Sequence, residues 1–95
     1  MLHTLSRSPY QIDIDAMLRN VGSEDVILLF QDGVTAALAD AAMLIPILAV
    51  GVPVYALKED ASARGIIAQI SSGVALIGYN EFVKLTALHS GQMAW

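Results

Sequence analysis

Apolar residues recur along this chain in two rhythms. Short unbroken runs, V-I-L-L-F at Val26 to Phe30, V-P-V-Y-A-L at Val52 to Leu57 and V-A-L-I at Val74 to Ile77, are separated by stretches in which apolar residues return every three or four positions. The short runs predict strands buried on both faces, and the longer period predicts helices with one buried face. Met1 to Leu5 predicts a further strand at the start. Ser8 and Pro9 suit the N-cap and first position of a helix, and Ile14, Met17, Leu18 and Val21 then fall on one helical face, with Gly22 as its stop. Asp32-Gly33 predicts a turn after the second strand, with Asp32 capping a helix that opens at Val34.

Beyond Leu38, Ala41, Ala42, Ile45 and Leu48 continue the helical pattern, but Pro46 is unwelcome inside a helix. Two short helices, broken near Asp40 or before Pro46 and ended by Gly51, account for it. A further helix runs from Asp60 or Ala61 to Arg64 and stops at Gly65. Ile66, Ile67 and Ile70 then form an irregular turn packed on the sheet. Asn80 is placed to cap a last helix carrying Phe82, Leu85 and Leu88, and Gln92 to Trp95 forms an extended tail or a short edge strand. Strands alternating with helices predict an α/β fold: a three-layer α/β/α sandwich on a mainly parallel sheet of four to five strands, as one domain over residues 1–95. In such a sheet the loops after the strands gather at one end, where ligands sit. Those loops hold Ser6 to Ser8, Gln31 and Asp32, Lys58 to Asp60, and Tyr79 and Asn80.

Composition changes this picture in one respect. Of the 95 residues, 56% are hydrophobic and 15% charged, against about 45–50% and about 25% in typical domains. A small domain cannot hide that much apolar surface internally, so part of it is expected to lie against another subunit. Tyr79, Met93 and Trp95 are the aromatic and sulfur-bearing candidates for such contact; for Trp95 the alternative is folding back onto its own domain. The net charge is −4, and the five basic residues are scattered. No basic patch for nucleic acid is present. The opening residues lead to no expectation of a signal peptide, and the apolar stretch from Ala41 to Leu57 is expected to be too short and too interrupted by Pro46, Gly51 and Pro53 to span a membrane.

Catalytic signatures are missing. The chain has no cysteine, which excludes disulfides, thiolate metal sites and sulfur chemistry on its own side chains. No glycine-rich phosphate loop occurs; Gly33 and Gly78 read as turn residues needing positive φ. His3 reads as a packed strand residue and His89 as a helix-end residue. No acidic pair is evident beside either, so neither a metal nor a cofactor is expected. Asp32 and Asp60 could form an acid–base pair at the sheet end, but helix capping explains both. Ser6 and Ser8 lack any evident base. Arg7, Gln31 and Asp32 remain as strand-end candidates, in a crevice that a small ligand-binding or regulatory domain would use together with Asp60.

Four separated segments carry a more specific signal. M-L-H-T-L-S-R-S-P (Met1 to Pro9), L-L-F-Q-D-G-V-T-A-A (Leu28 to Ala37), V-Y-A-L-K-E-D (Val54 to Asp60) followed by A-R-G (Ala63 to Gly65), and Q-M-A-W (Gln92 to Trp95) together resemble the DsrH branch of the DsrE/DsrF/DsrH family of bacterial sulfur-transfer proteins. The likeness spans the whole chain. It implies a DsrE-like, flavodoxin-like fold and a cytoplasmic sulfur-relay complex, a dimer of heterotrimers formed with TusC-like and TusD-like subunits. Such a complex takes persulfide sulfur from a TusA-like donor and passes it to a TusE-like acceptor, toward 2-thiouridine at the tRNA wobble position. The persulfide cysteine of that assembly belongs to the TusD-like subunit. Some DsrH relatives carry their own cysteine; this chain does not. The resemblance therefore implies a non-catalytic subunit with no direct contact to nucleic acid or membrane.

Overall fold

The computed structural model describes residues 1–95. Five parallel strands, β1 (Leu2–Leu5), β2 (Val26–Leu29), β3 (Val54–Leu57), β4 (Ala75–Ile77) and β5 (Gln92–Ala94), lie in the order β4-β3-β2-β1-β5. The tail after Gly91 is thus an edge strand. Four helices connect or flank them: α1 (Ile14–Arg19), α2 (Leu44–Ala49), α3 (Lys58–Ala63) and α4 (Tyr79–Leu88). The chain steps one way across the sheet from β1 to β4, and then α4 carries it back to place β5 beside β1. Right-handed crossovers put the first three connections on one face and the last on the other.

The packing follows that rule. On one face, Leu5, Ile27, Leu29, Val54 and Ala56 meet Ile14 and Met17 of α1 and Leu44 and Ile47 of α2, with Ile66 and Ile70 at the margin. On the other, Leu2, Val26 and Leu28 meet Phe82 of α4 beside Tyr55 and Ile77. The result is a three-layer α/β/α sandwich. All four residues of β2 are buried, as expected for a central parallel strand with both faces covered.

Several local expectations are corrected. Ser8 and Pro9 open a 3₁₀ turn, Pro9–Gln11, in which the Ser8 hydroxyl accepts from the Tyr10 amide at 3.4 Å. The chain then extends at Ile12, and α1 starts afresh with Asp13 as its cap, accepting from the Ala16 amide at 3.1 Å. The apolar face from Ile14 is right, but one cap cannot serve across an extended residue. Gly22 is not the stop: α1 ends at Arg19 with Asn20 as C-cap. After β2 the chain forms a 3₁₀ segment, Gln31–Ala37, with no side-chain cap. The break near Asp40 separates it from α2. Pro46 is the third residue of α2, where its missing amide has no intrahelical partner to lose. Gly51 and Gly65 adopt φ of +83° and +67°, the left-handed geometry that ends α2 and α3.

Gly33 and Gly78 do not need positive φ, which is instead found at Gln31, φ +50°. Gly33 is required for space: a Cβ there would lie 2.0 Å from the Leu5 carbonyl oxygen.

Candidate functional site

The C-terminal end of the sheet gathers side chains from three connections. Gln31 leaves β2 in a left-handed conformation that is uncommon for a residue with a Cβ. Its amide donates to Asp60 Oδ2 at 2.6 Å. Asp32 Oδ1 accepts from Arg64 Nη2 at 2.8 Å, and Arg64 Nη1 donates to the Asp60 carbonyl at 3.1 Å. Neither aspartate is a helix cap, contrary to the sequence reading. Each is bound to a different partner, so they do not form an acid–base pair. Nor does Asn80 cap α4. Gly78 holds the cap position, and Glu59 reaches across from α3 to accept from the Tyr79 amide at 3.3 Å.

Of the strand-end candidates, Gln31 and Asp32 therefore belong to one cluster with Asp60 and Arg64, and Tyr79 borders it through Glu59. Arg7 is exposed and makes no ion pair. Met93, on β5, and Trp95, just after it, lie elsewhere, at the opposite edge from β4. Met93 pairs in register with His3, and the Trp95 amide donates to the Thr4 carbonyl at 2.9 Å.

That second edge holds a network the sequence reading missed. The His3 side chain is fully buried; its Nε2 lies 2.8 Å from Asp25 Oδ2, and its Nδ1 lies 3.3 Å from the Trp95 indole Nε1. Trp95 folds back over the imidazole, with ring planes 25° apart. Asp25 also accepts from the Gly22 amide and from the Met1 ammonium, at 2.8 and 2.9 Å. The Gly22 amide, then the ammonium, then His3 hold its carboxyl well below the usual carboxylate range. His3 thus does have an acidic partner, in conflict with the sequence reading. The available signal was register: Leu2 pairs with Val26, which sets residue 25 beside the start of β1. No group of three metal-ligating side chains forms.

Helix α4 exposes large apolar side chains among its polar ones. No residue of that helix is buried, and Tyr79 and Leu88 are 62% and 77% exposed. A shallow depression of about 240 Å³ lies beside it, lined by Tyr55, Ile77, Leu85 and Leu88 with Glu81 and Lys84. No helix is long and apolar enough to cross a membrane.

With this geometry in view, comparison with known proteins is informative. The family model described as "DsrH like protein" matches residues 7–92. The chain is 56% identical to "Protein TusB" of Cronobacter sakazakii and 53% identical to that of Pectobacterium carotovorum, in each case over 95 residues and the whole of both chains. The "Protein TusB" of Escherichia coli O157:H7 is 50% identical over the same full span. Among solved structures, the ychN protein of E. coli superposes with a TM-score of 0.78 at 19% identity, covering 99% of this chain and 97% of that one. The solution structure of protein Tm0979 from Thermotoga maritima gives 0.64 at 32% identity, covering 94% of each chain.

Proposed function

The chain belongs to the DsrH-like protein family, and from that premise we propose that it is a non-catalytic subunit of a cytoplasmic TusBCD-type sulfur-relay complex. The observation that carries this reading is full-length similarity, without gaps in coverage, to proteins named TusB. In this reading the chain completes an assembly with TusC-like and TusD-like subunits, a dimer of heterotrimers. That assembly receives persulfide sulfur from a TusA-like donor and delivers it through a TusE-like acceptor toward 2-thiouridine at the tRNA wobble position.

Two physical features support a structural role for this chain. It has no cysteine, so a persulfide must travel on another subunit. Helix α4 leaves large apolar side chains in water, a costly arrangement for a free monomer. Arg7, Gln31, Asp32, Tyr79, Met93 and Trp95 are the proposed interface or strand-end residues; of these, Tyr79 is the most exposed aromatic. A ligand-binding or regulatory domain working through the strand-end crevice is the weaker reading, because Asp32 and Asp60 are already engaged by Arg64 and by the Gln31 amide.

The test is co-expression with TusC-like and TusD-like proteins, followed by measurement of the size and composition of the purified species. A defined hetero-oligomer containing all three is the expected result. A folded, soluble monomer that ignores both partners overturns the proposal.

A further inference from the structure

The network at the β1–β5 edge has a directional hydrogen-bond order. Indole Nε1–H is a donor only, so His3 Nδ1 must be the acceptor in the 3.3 Å contact with Trp95. Asp25 is held as a carboxylate by the Gly22 amide and the Met1 ammonium, so Nε2 must carry the hydrogen in the 2.8 Å contact. The neutral Nε2–H imidazole is thereby satisfied at both nitrogens inside the protein. An imidazolium would carry hydrogens on both. Its Nδ1–H would then face the indole N–H, two donors with no acceptor between them, in a side-chain environment with no exposure to water.

We propose that His3 is a proton-sensitive latch for the C-terminal strand: the neutral ring holds the Trp95 indole at Nδ1, and protonation of Nδ1 releases it. Three features make release local. The new charge stays paired with Asp25, so ionisation does not require unfolding. The charged groups that reach the ring are the Asp25 carboxylate, from the segment before β2, and through it the Met1 ammonium; the Trp95 side chain presents the neutral indole N–H. Finally, β5 has three residues and pairs with β1 alone, and the indole contact lies just beyond its end. Release frees the indole at the edge of β1 without disturbing the order of the strands. The proposal does not depend on the relay reading.

Nuclear magnetic resonance tests it directly on the ¹⁵N-labelled full-length chain, together with any partners that co-purify. Trp95 is the only tryptophan, and His89 is the only other histidine, so both signals are assignable. At about pH 8 the His3 nitrogens should report the Nε2–H tautomer. Lowering the pH to about 5 should shift the indole N–H resonance to a solvent-exposed position. That shift should share its midpoint with the His3 nitrogens, while the amides of β2 to β4 stay in place. His3→Asn keeps an acceptor near the Nδ1 position that does not titrate, and its indole resonance should stay docked throughout. An Nδ1–H tautomer, an indole resonance that stays fixed while His3 titrates, or the same movement in His3→Asn overturns the proposal. Should His3→Asn fail to fold, Asp25→Asn serves instead: loss of the supporting carboxylate should move the indole transition to lower pH, and an unmoved midpoint overturns the latch.

Discussion

Gly33 sits against β1 with no room for a side chain, because the Leu5 carbonyl oxygen occupies the place of its Cβ. Gly33→Ala is expected to lower stability by about 2 kcal/mol or more, since the obstacle is backbone and cannot rotate away. Gly22→Ala is the control: its nearest neighbour would be Asp25 Oδ2 at 3.5 Å, an ordinary contact, and the change should stay within about 0.5 kcal/mol. Urea unfolding of both variants checks the pair. Asp25 makes a second prediction at this scale. Its folded carboxyl titrates below its unfolded value, so at acid pH the unfolded chain binds more protons and stability rises with pH. The Asp25 contribution is complete above the ordinary carboxylate value of about 3.9. It is lost as pH falls through the lower folded value. Asp25→Asn should lower the urea midpoint near neutral pH and flatten its acid dependence; an unchanged acid slope would mean that other carboxylates dominate it.

Helix caps are where elements were least legible. The sequence offers Ser8, Asp32 and Asn80 as short polar residues ahead of apolar periodicity, and each makes a sensible cap in isolation. The structure uses Asp13 for α1, and Glu59 from a different helix for α4. Asp13→Ala should therefore cost about 1 kcal/mol, the usual value of a lost cap. Asp32→Ala should cost no more than about 0.5 kcal/mol, because its partner is Arg64 in a pair whose side chains are 66% and 31% exposed. Equal losses in thermal or urea unfolding would contradict this assignment. The elements themselves were legible: every expected strand occurs within two residues of its predicted start, since a buried run marks its own position. The 3₁₀ segments were not, because i to i+3 and i to i+4 hydrogen bonding share nearly the same apolar period over one turn.

At the scale of the molecule, the two faces of the sheet differ. One is covered by α1, α2 and the 3₁₀ segments, and the other by α4 alone. Leu28→Ala, fully buried beneath α4 at the sheet centre, should cost about 2–5 kcal/mol. Leu88→Ala, at 77% exposure, should change the stability of the isolated chain by less than about 0.5 kcal/mol. Denaturation of the purified chain measures both. The excess of apolar residues noted in the composition is thus not all taken up by the interior: 21 of 95 residues are buried, and Tyr79, Val83 and Leu88 of α4 stay exposed, as do Tyr10 and Ile45 elsewhere. That distribution suits a chain whose surface is completed by partners, which is the whole-molecule content of the proposed relay-subunit role.

The sequence by itself determined the class of fold, the strand positions, the lack of any cysteine thiol and, through four separated motifs, the family. Burial period and residue type are local properties, present before the chain folds. Tertiary structure alone decided which polar groups meet. His3 and Asp25 lie 22 residues apart, Gln31 and Asp60 lie 29 apart, and His3 and Trp95 lie 92 apart. Their contacts exist only because parallel register sets β1 between β2 and β5 and brings the ends of β2 and β3 together. Hydrogen bonds of that span follow from how strands are ordered across the sheet, and no short window of sequence contains that order.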